Sequence, residues 1–256
     1  MLEINRNQLA NCLHELGIEE GDGLLVHSAI QYLGKPVGGI AIFHEAIQEV
    51  IGKNGTIVVP TFNFAFASGE PYNMWETPAI RMGVFSEYVR KLPNARRTSH
   101  PMQSIAIIGR YADELSSLDT GSAFDPGSAF ERMLELDFKL LLLGADSNSV
   151  SMFHYCEQRA NVPYRYWKEF AGQVRTRKGW EMRTYRMFVR DLELNPILTL
   201  EPIVASLKSH GLWISKPLNY GQVTFCRLFD FVATTDKWLA TDPWSLVVNH
   251  TIKAED

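Results

Sequence analysis

Lys139-Leu140-Leu141-Leu142-Leu143-Gly144-Ala145-Asp146, continued by Ser149-Val150-Ser151-Met152-Phe153-His154-Tyr155-Cys156-Glu157-Gln158-Arg159, decides how this chain is read. An unbroken apolar run is a strand buried on both faces, because a strand with one wet face alternates. Gly144 and the polar residues after it end the strand, and a helical pattern carries the chain towards Pro163. Three residues separate His154 from Glu157, so a helix puts both on one face. A carboxylate there can hold an imidazole at the carboxyl edge of a sheet, where open α/β sheets place their sites. A lone H-x-x-E pair also reads as a structural or surface ion pair, and both readings stand at this point.

Working outward, Asn7 to Leu16 spaces Leu9, Ala10, Leu13 and Leu16 as an amphipathic helix closed by Gly17. Gly23 to Ser28 is a short buried strand, Ile40 to Ile51 a helix, and Thr56 to Pro60 a second buried strand. Together they form a strand–helix–strand unit with a right-handed crossover. The stretch 63–78 is an aromatic loop with Phe64, Phe66, Tyr72 and Trp75, followed by a helix over Met82 to Lys91. A strand over Ser104 to Ile108 and a loop over Gly121 to Ser128, with Ser128 as helix cap, lead back to the deciding stretch. Beyond Pro163, Gln173 to Arg190 reads as a hairpin turned near Lys178-Gly179. A helix over Leu198 to His210, short strands at Leu212–Ile214 and Gln222–Cys226, and a helix over Leu228 to Leu239 complete the chain. The fold class is α/β: a central, mostly parallel sheet flanked by helices, with a basic β-hairpin elaborating the C-terminal half. With no repeat and no linker, residues 1–256 read as one domain.

Composition narrows the function. Apolar residues make up 46% and charged residues 21%, as in ordinary globular enzymes, and a net charge of −4 gives no general reason for a nucleic-acid or anionic-membrane partner. Three distant cysteines, Cys12, Cys156 and Cys226, argue against a disulfide framework. The first residues lack the pattern of a signal peptide, and no apolar run approaches the roughly 20 residues that cross a bilayer. A cytoplasmic protein is the expectation.

Other candidates carry two readings each. Gly34 to Gly39 is neither a dinucleotide fingerprint nor a lysine-bearing phosphate loop, yet backbone N–H groups opening the Ile40 helix can hold a phosphate. Ser28 and Thr61 each follow a strand and line the same crevice or cap a turn. Cys156 near His154 reads as a nucleophile or, better, as a buried thiol. No second Cys/His pair completes a zinc site, so no metal is expected. His100 before Pro101 reads as a site residue or a hydrogen-bonded loop histidine, and His27 is left without a role.

Several segments together resemble the aminoglycoside 3-N-acetyltransferase family. They are Val26-His27-Ser28, Val37-Gly38-Gly39, Gly55 to Phe62, Arg81-Met82-Gly83 with Glu87, and Arg97-Thr98-Ser99-His100-Pro101 with Ser104 and Gly109. Leu141 to Gly144 and His154-x-x-Glu157 complete the set. The likeness covers residues 23–163, loosens afterwards and returns near Asp230 to Pro243. It implies an α/β fold, acetyl-CoA as donor and an amine on a sugar ring as acceptor. It maps a catalytic dyad onto His154 and Glu157, and a cofactor site onto Ser28, Val37, Gly38, Gly39, Thr61, Ser99 and His100. A histidine suits removal of the amine's proton, and a carboxylate suits steadying the imidazolium.

The acceptor divides the expectations. The family's resistance enzymes are acidic after the dyad, whereas this hairpin carries Arg165, Lys168, Arg175, Arg177, Lys178, Arg183, Arg186 and Arg190 against Glu169 and Glu181. Arginine clusters suit phosphates, so a nucleotide-linked 3-amino-3,6-dideoxyhexose is the first expectation, with Trp75 and Arg190 as substrate contacts. An aminoglycoside antibiotic is the alternative, and a protein that binds CoA or a sugar nucleotide without catalysis is a second. Apolar stretches with Trp238 and Trp244 make a homodimer an expectation.

Overall fold

The computed structural model describes residues 1–249. In chain order the elements begin with β1 (Glu3–Ile4), α1 (Arg6–Glu15), β2 (Gly23–Ser28), β3 (Lys35–Pro36), α2 (Ala41–Ile51), β4 (Thr56–Pro60) and β5 (Tyr72–Asn73). Next come α3 (Val84–Arg90), β6 (Arg96–Arg97), β7 (Ile105–Gly109), α4 (Ala112–Ser117), α5 (Ala129–Glu135), β8 (Lys139–Leu143) and α6 (Phe153–Ala160). The rest is β9 (Arg165–Thr176), β10 (Gly179–Arg190), α7 (Glu201–Ser209), β11 (Ile214–Leu218), β12 (Gly221–Arg227) and α8 (Leu228–Thr241).

The main sheet has seven strands in the order β11-β12-β8-β2-β4-β7-β6. Its centre, β8-β2-β4, is parallel, and the strands on both flanks pair antiparallel. The apolar strands are read by their two faces. Leu25, Val58, Leu140 and Leu142 join one buried cluster, while Leu24, Val26, Ile57, Val59, Leu141 and Leu143 join another on the opposite side. Alternation survives, but both faces are dry, so the sequence shows only a continuous run. Each such side chain contributes about 1.5–3 kcal/mol on burial.

Helix ends account for most shifted boundaries. Asn5 and Gln8 form a reciprocal capping box that starts α1 one residue before the expected Asn7. Gly83, at φ 82°, delays α3 to Val84. Ser128 caps α5 as expected, its hydroxyl accepting from the Glu131 N–H. The strand expected at Leu212–Ile214 lies instead at Ile214–Leu218.

The hairpin departs most from expectation. It begins at Arg165 rather than Gln173, pairs twelve residues on each strand and adds β5 in parallel. Tyr166, Trp167 and several charged side chains on β9 remain exposed, which hides the strand from a hydrophobic pattern. Val174, Tyr185 and Met187 pack with Phe66, Tyr72 and Met102, which ties the hairpin to the body.

Candidate active site

The site forms at the carboxyl ends of β2, β4 and β8. Gly144, at φ 68°, turns the chain out of β8 where any Cβ would lie 2.7 Å from the Ala29 carbonyl. The turn leads to Ser151, whose backbone N–H donates to His27 Nε2 at 2.9 Å. His27 thereby pins the entrance of α6 to the end of β2. With Nε2 accepting, Nδ1 carries the ring proton, and it is buried without a partner. Burial, reinforced by the neighbouring His154 charge, lowers the His27 pKa to about 3.

One turn into α6, His154 and Glu157 meet. His154 Nδ1–H donates to Glu157 Oε2 at 2.6 Å, leaving Nε2 with no hydrogen bond among the described residues. Glu157 is fully buried, while the His154 side chain is 36% exposed. The Arg165 Nε, delivered by the first residue of β9, lies 2.8 Å from Glu157 Oε1. Burial alone would raise the Glu157 pKa, but the His154 hydrogen bond and the His154 and Arg165 charges outweigh it and hold the carboxyl below its usual range. The carboxylate is therefore ionised and clamped between an imidazole and a guanidinium. Such a pair can take a proton at Nε2 and stabilise the resulting imidazolium.

His154 lines a cavity of about 330 Å³ with His27, Ser28, Pro60, Phe62, Arg81 and Ser151. Gly83 closes one side, since a Cβ there would lie 2.8 Å from the Ser28 carbonyl. Ser28 Oγ is buried with no protein partner. Among the expected cofactor residues, only Ser28 lines this cavity. Val37, Gly38 and Gly39 lie in the partly to fully exposed turn before α2, on the same edge of the sheet. Thr61 points elsewhere: its hydroxyl donates to the Ser104 carbonyl and accepts from Arg97 Nε. Ser99 Oγ is engaged by Asp119. His100 Nδ1 accepts from the Gln103 N–H and Nε2 lies 3.4 Å from the Arg186 carbonyl, so His100 is the hydrogen-bonded loop histidine. Each of these polar groups is engaged within the protein, and none of Thr61, Ser99 and His100 lines the His154 cavity.

Neither expected substrate contact lines the His154 cavity. Trp75 borders another cavity, and Arg190 is exposed at the root of the hairpin. Cys156 is fully buried with its pKa raised well above the usual thiol value by burial, the state of an inert thiol. Among the described residues no group of His, Cys, Asp and Glu could hold a metal, and no helix is long and apolar enough to cross a membrane. Sequence reasoning missed Arg165 and His27. Arg165 was visible only as one arginine in a basic run, and His27 only as a histidine at a strand end.

A half-exposed imidazole, backed by a buried carboxylate at the switch point of an α/β sheet, has the geometry to act as a general base, the chemistry that acyl transfer to an amine requires. Residues 25–240 match the family model described as aminoglycoside 3-N-acetyltransferase, and the chain belongs to that family. Aminoglycoside N(3)-acetyltransferase III from Salmonella sp is 29% identical over 192 residues, spanning 68% of this chain and 67% of its own. The solved apoenzyme of aminoglycoside acetyltransferase AAC(3)-IVa is 26% identical and superposes with a TM-score of 0.81, covering 99% of this chain and 94% of that one. A structure described as AAC-IIIb in binary complex with CoASH, 20% identical, shares the fold with a TM-score of 0.82, covering 98% of this chain and all of that one. The chain is an N-acetyltransferase with acetyl-CoA as its co-substrate.

Proposed function

We propose that this enzyme acetylates an amino group of an aminoglycoside-type amino sugar by direct transfer, with His154 as general base and Glu157 as the carboxylate that orients it. The observation that carries the reading is the 2.6 Å contact between His154 Nδ1 and Glu157 Oε2 at the wall of the cavity. A protonated amine has no lone pair to attack a thioester. The amine therefore reacts in its neutral form, its first proton having gone to solvent; as its lone pair bonds the thioester carbon, His154 Nε2 takes a remaining N–H proton, the carbon–sulfur bond breaks, and CoA leaves as a thiolate. Glu157 gains a charged partner at that moment and so favours the transition state over the ground state.

The acceptor follows from the relatives and from the charge balance of the hairpin. The matched relative is named for aminoglycosides. The excess of hairpin arginines that suggested a nucleotide-linked sugar is smaller than the local sequence implies. Arg165 pairs with Glu157, Arg183 with Asp119 and Glu181, and Arg186 with Asp125. Three of those partners lie outside the hairpin. An acetyl-CoA assay that compares gentamicin and kanamycin with a dTDP-linked 3-amino sugar tests the choice. Faster turnover of the antibiotics is expected. Turnover of the sugar nucleotide alone would return the acceptor to the nucleotide-linked class.

A further inference from the structure

A second cavity, of about 820 Å³, lies between the hairpin turn and the β6–α4 region. Arg90, Arg96, Arg97, Arg175, Arg177 and Arg183 line it, with Asp113 as the only carboxylate on its wall and Trp75 at its rim. Three of the six guanidiniums are spoken for: Arg90 by Glu87, Arg96 by Asp113, and Arg183 by Asp119 and Glu181. The other three have no carboxylate among the described residues. Arg175 rests only on the Trp180 ring, and Arg177 has no ion pair.

Arg97 is the informative one. It is 7% exposed, yet every hydrogen bond it makes goes to a neutral group: Thr61, Ser104, Met74 and Thr77. Its single aromatic contact is the Tyr72 ring. A buried cation held by neutral dipoles keeps its charge, and burial without a counterion is costly. Arg97, whose nitrogens already donate within the protein, gives the cavity an uncompensated charge, and the two unpaired arginines at its edge supply the forked donors. Trp75, 51% exposed, adds an aromatic face at the rim, a surface on which a base can stack.

We propose that this cavity binds a phosphorylated nucleoside, its phosphates on Arg175 and Arg177 in the field of the buried Arg97 charge and its base on Trp75. The chemistry fits two sources, a free nucleotide and the phosphorylated adenosine end of CoA. The site is independent of the acceptor assigned above, and its test reads binding rather than turnover.

The test is calorimetric titration of the full chain with pyrophosphate and with ADP, each with and without saturating CoA. Saturable binding of one ligand per chain is expected. The double variant Arg175→Ala/Arg177→Ala, altered only on exposed strand and turn positions, should weaken both ligands at least about tenfold. Trp75→Ala should weaken ADP and spare pyrophosphate. If CoA blocks the titration and the double variant weakens CoA in parallel, CoA is the source. If binding persists beside CoA, a separate nucleotide is. Absence of saturable binding at millimolar ligand, or a folded double variant that binds like the parent, overturns the site. Equal loss of ADP and pyrophosphate on removing Trp75 overturns the nucleoside part.

Discussion

The two cavities lie near one segment, residues 60–62, and differ in how they treat charge. Pro60 and Phe62 face the His154 cavity, while Thr61 between them turns to the other side and grips Arg97. The alternation of an extended chain thus gives one segment two surfaces. On the first, the charges pair with one another: Glu157 sits between His154 and Arg165, and the second imidazole nitrogen has no hydrogen bond among the described residues. On the second, three arginines remain without a carboxylate. A paired charge set is suited to moving a proton, because its field is fixed and it leaves an imidazole nitrogen free to accept one. An open set is suited to holding an anion. His154→Ala is the strongest test of this division. Removing a general base costs about 10²–10⁴-fold in turnover. CoA affinity, measured by calorimetry, should stay within a few-fold, because the ring is the base rather than the floor of the cavity. Unchanged turnover would remove His154 from the reaction.

Glu157→Gln sharpens the comparison by breaking the paired set. The amide keeps the shape and loses the charge, so His154 retains a partner but its imidazolium loses a counterion. A decline of about 10–100-fold in kcat with little change in KM is expected. Arg165, with a side chain only 11% exposed, would then be a nearly buried cation without a carboxylate. Removing one partner of a buried pair costs about 3–5 kcal/mol. The variant should therefore melt several degrees lower by calorimetry, whereas His154→Ala, which leaves the Glu157–Arg165 pair intact, should not. Equal melting of the two would show that Arg165 does not depend on Glu157.

What could be read from the chain and what could not divides along the same line. The apolar strands and the His154–Glu157 spacing are local patterns, with periods of two and of three to four residues, so they stand in the sequence itself. The antiparallel flanks of the sheet do not, because an apolar strand buried on both faces has the same composition in either direction. The partners of the hairpin arginines were invisible for a different reason. Asp119 and Asp125 lie about sixty residues before the arginines they meet, so a charge count confined to the hairpin overstated its excess. Thr61 and His100 show the same limit: their hydrogen bonds reach Ser104 and Arg186, distant segments that their own positions do not reveal.

The segment near both cavities can be tested by acid. His100 fixes the turn that presents Ser104 to Thr61, through the Gln103 N–H on its Nδ1. Burial lowers its pKa from 6.5 to about 4, only partly offset by the Arg186 carbonyl and by Asp119 and Asp125. Between those values the unfolded chain binds a proton that the folded chain refuses. Stability from this group is full above pH 6.5 and falls as pH drops towards 4. His27 behaves alike, down to about 3. From pH 7 to pH 5 the His100 contribution is on the order of 2 kcal/mol. His100→Gln, which cannot titrate, should melt at a temperature that varies less with pH over that range. An undiminished slope would assign the acid sensitivity to His27 alone.

Ser28 carries the smallest effect and separates the cavities most finely. Its hydroxyl is buried without a protein partner, a state that costs about 1–3 kcal/mol unless a ligand or water completes it. It lines the His154 cavity and not the arginine one. If acetyl-CoA supplies the missing partner, Ser28→Ala should raise KM for acetyl-CoA by a factor of about 3–10, the loss of one neutral hydrogen bond, and leave ADP binding untouched. The apoenzyme should melt no lower than the parent, because an unsatisfied polar group has gone. A KM equal to the parent's would mean that the hydroxyl meets water rather than the thioester.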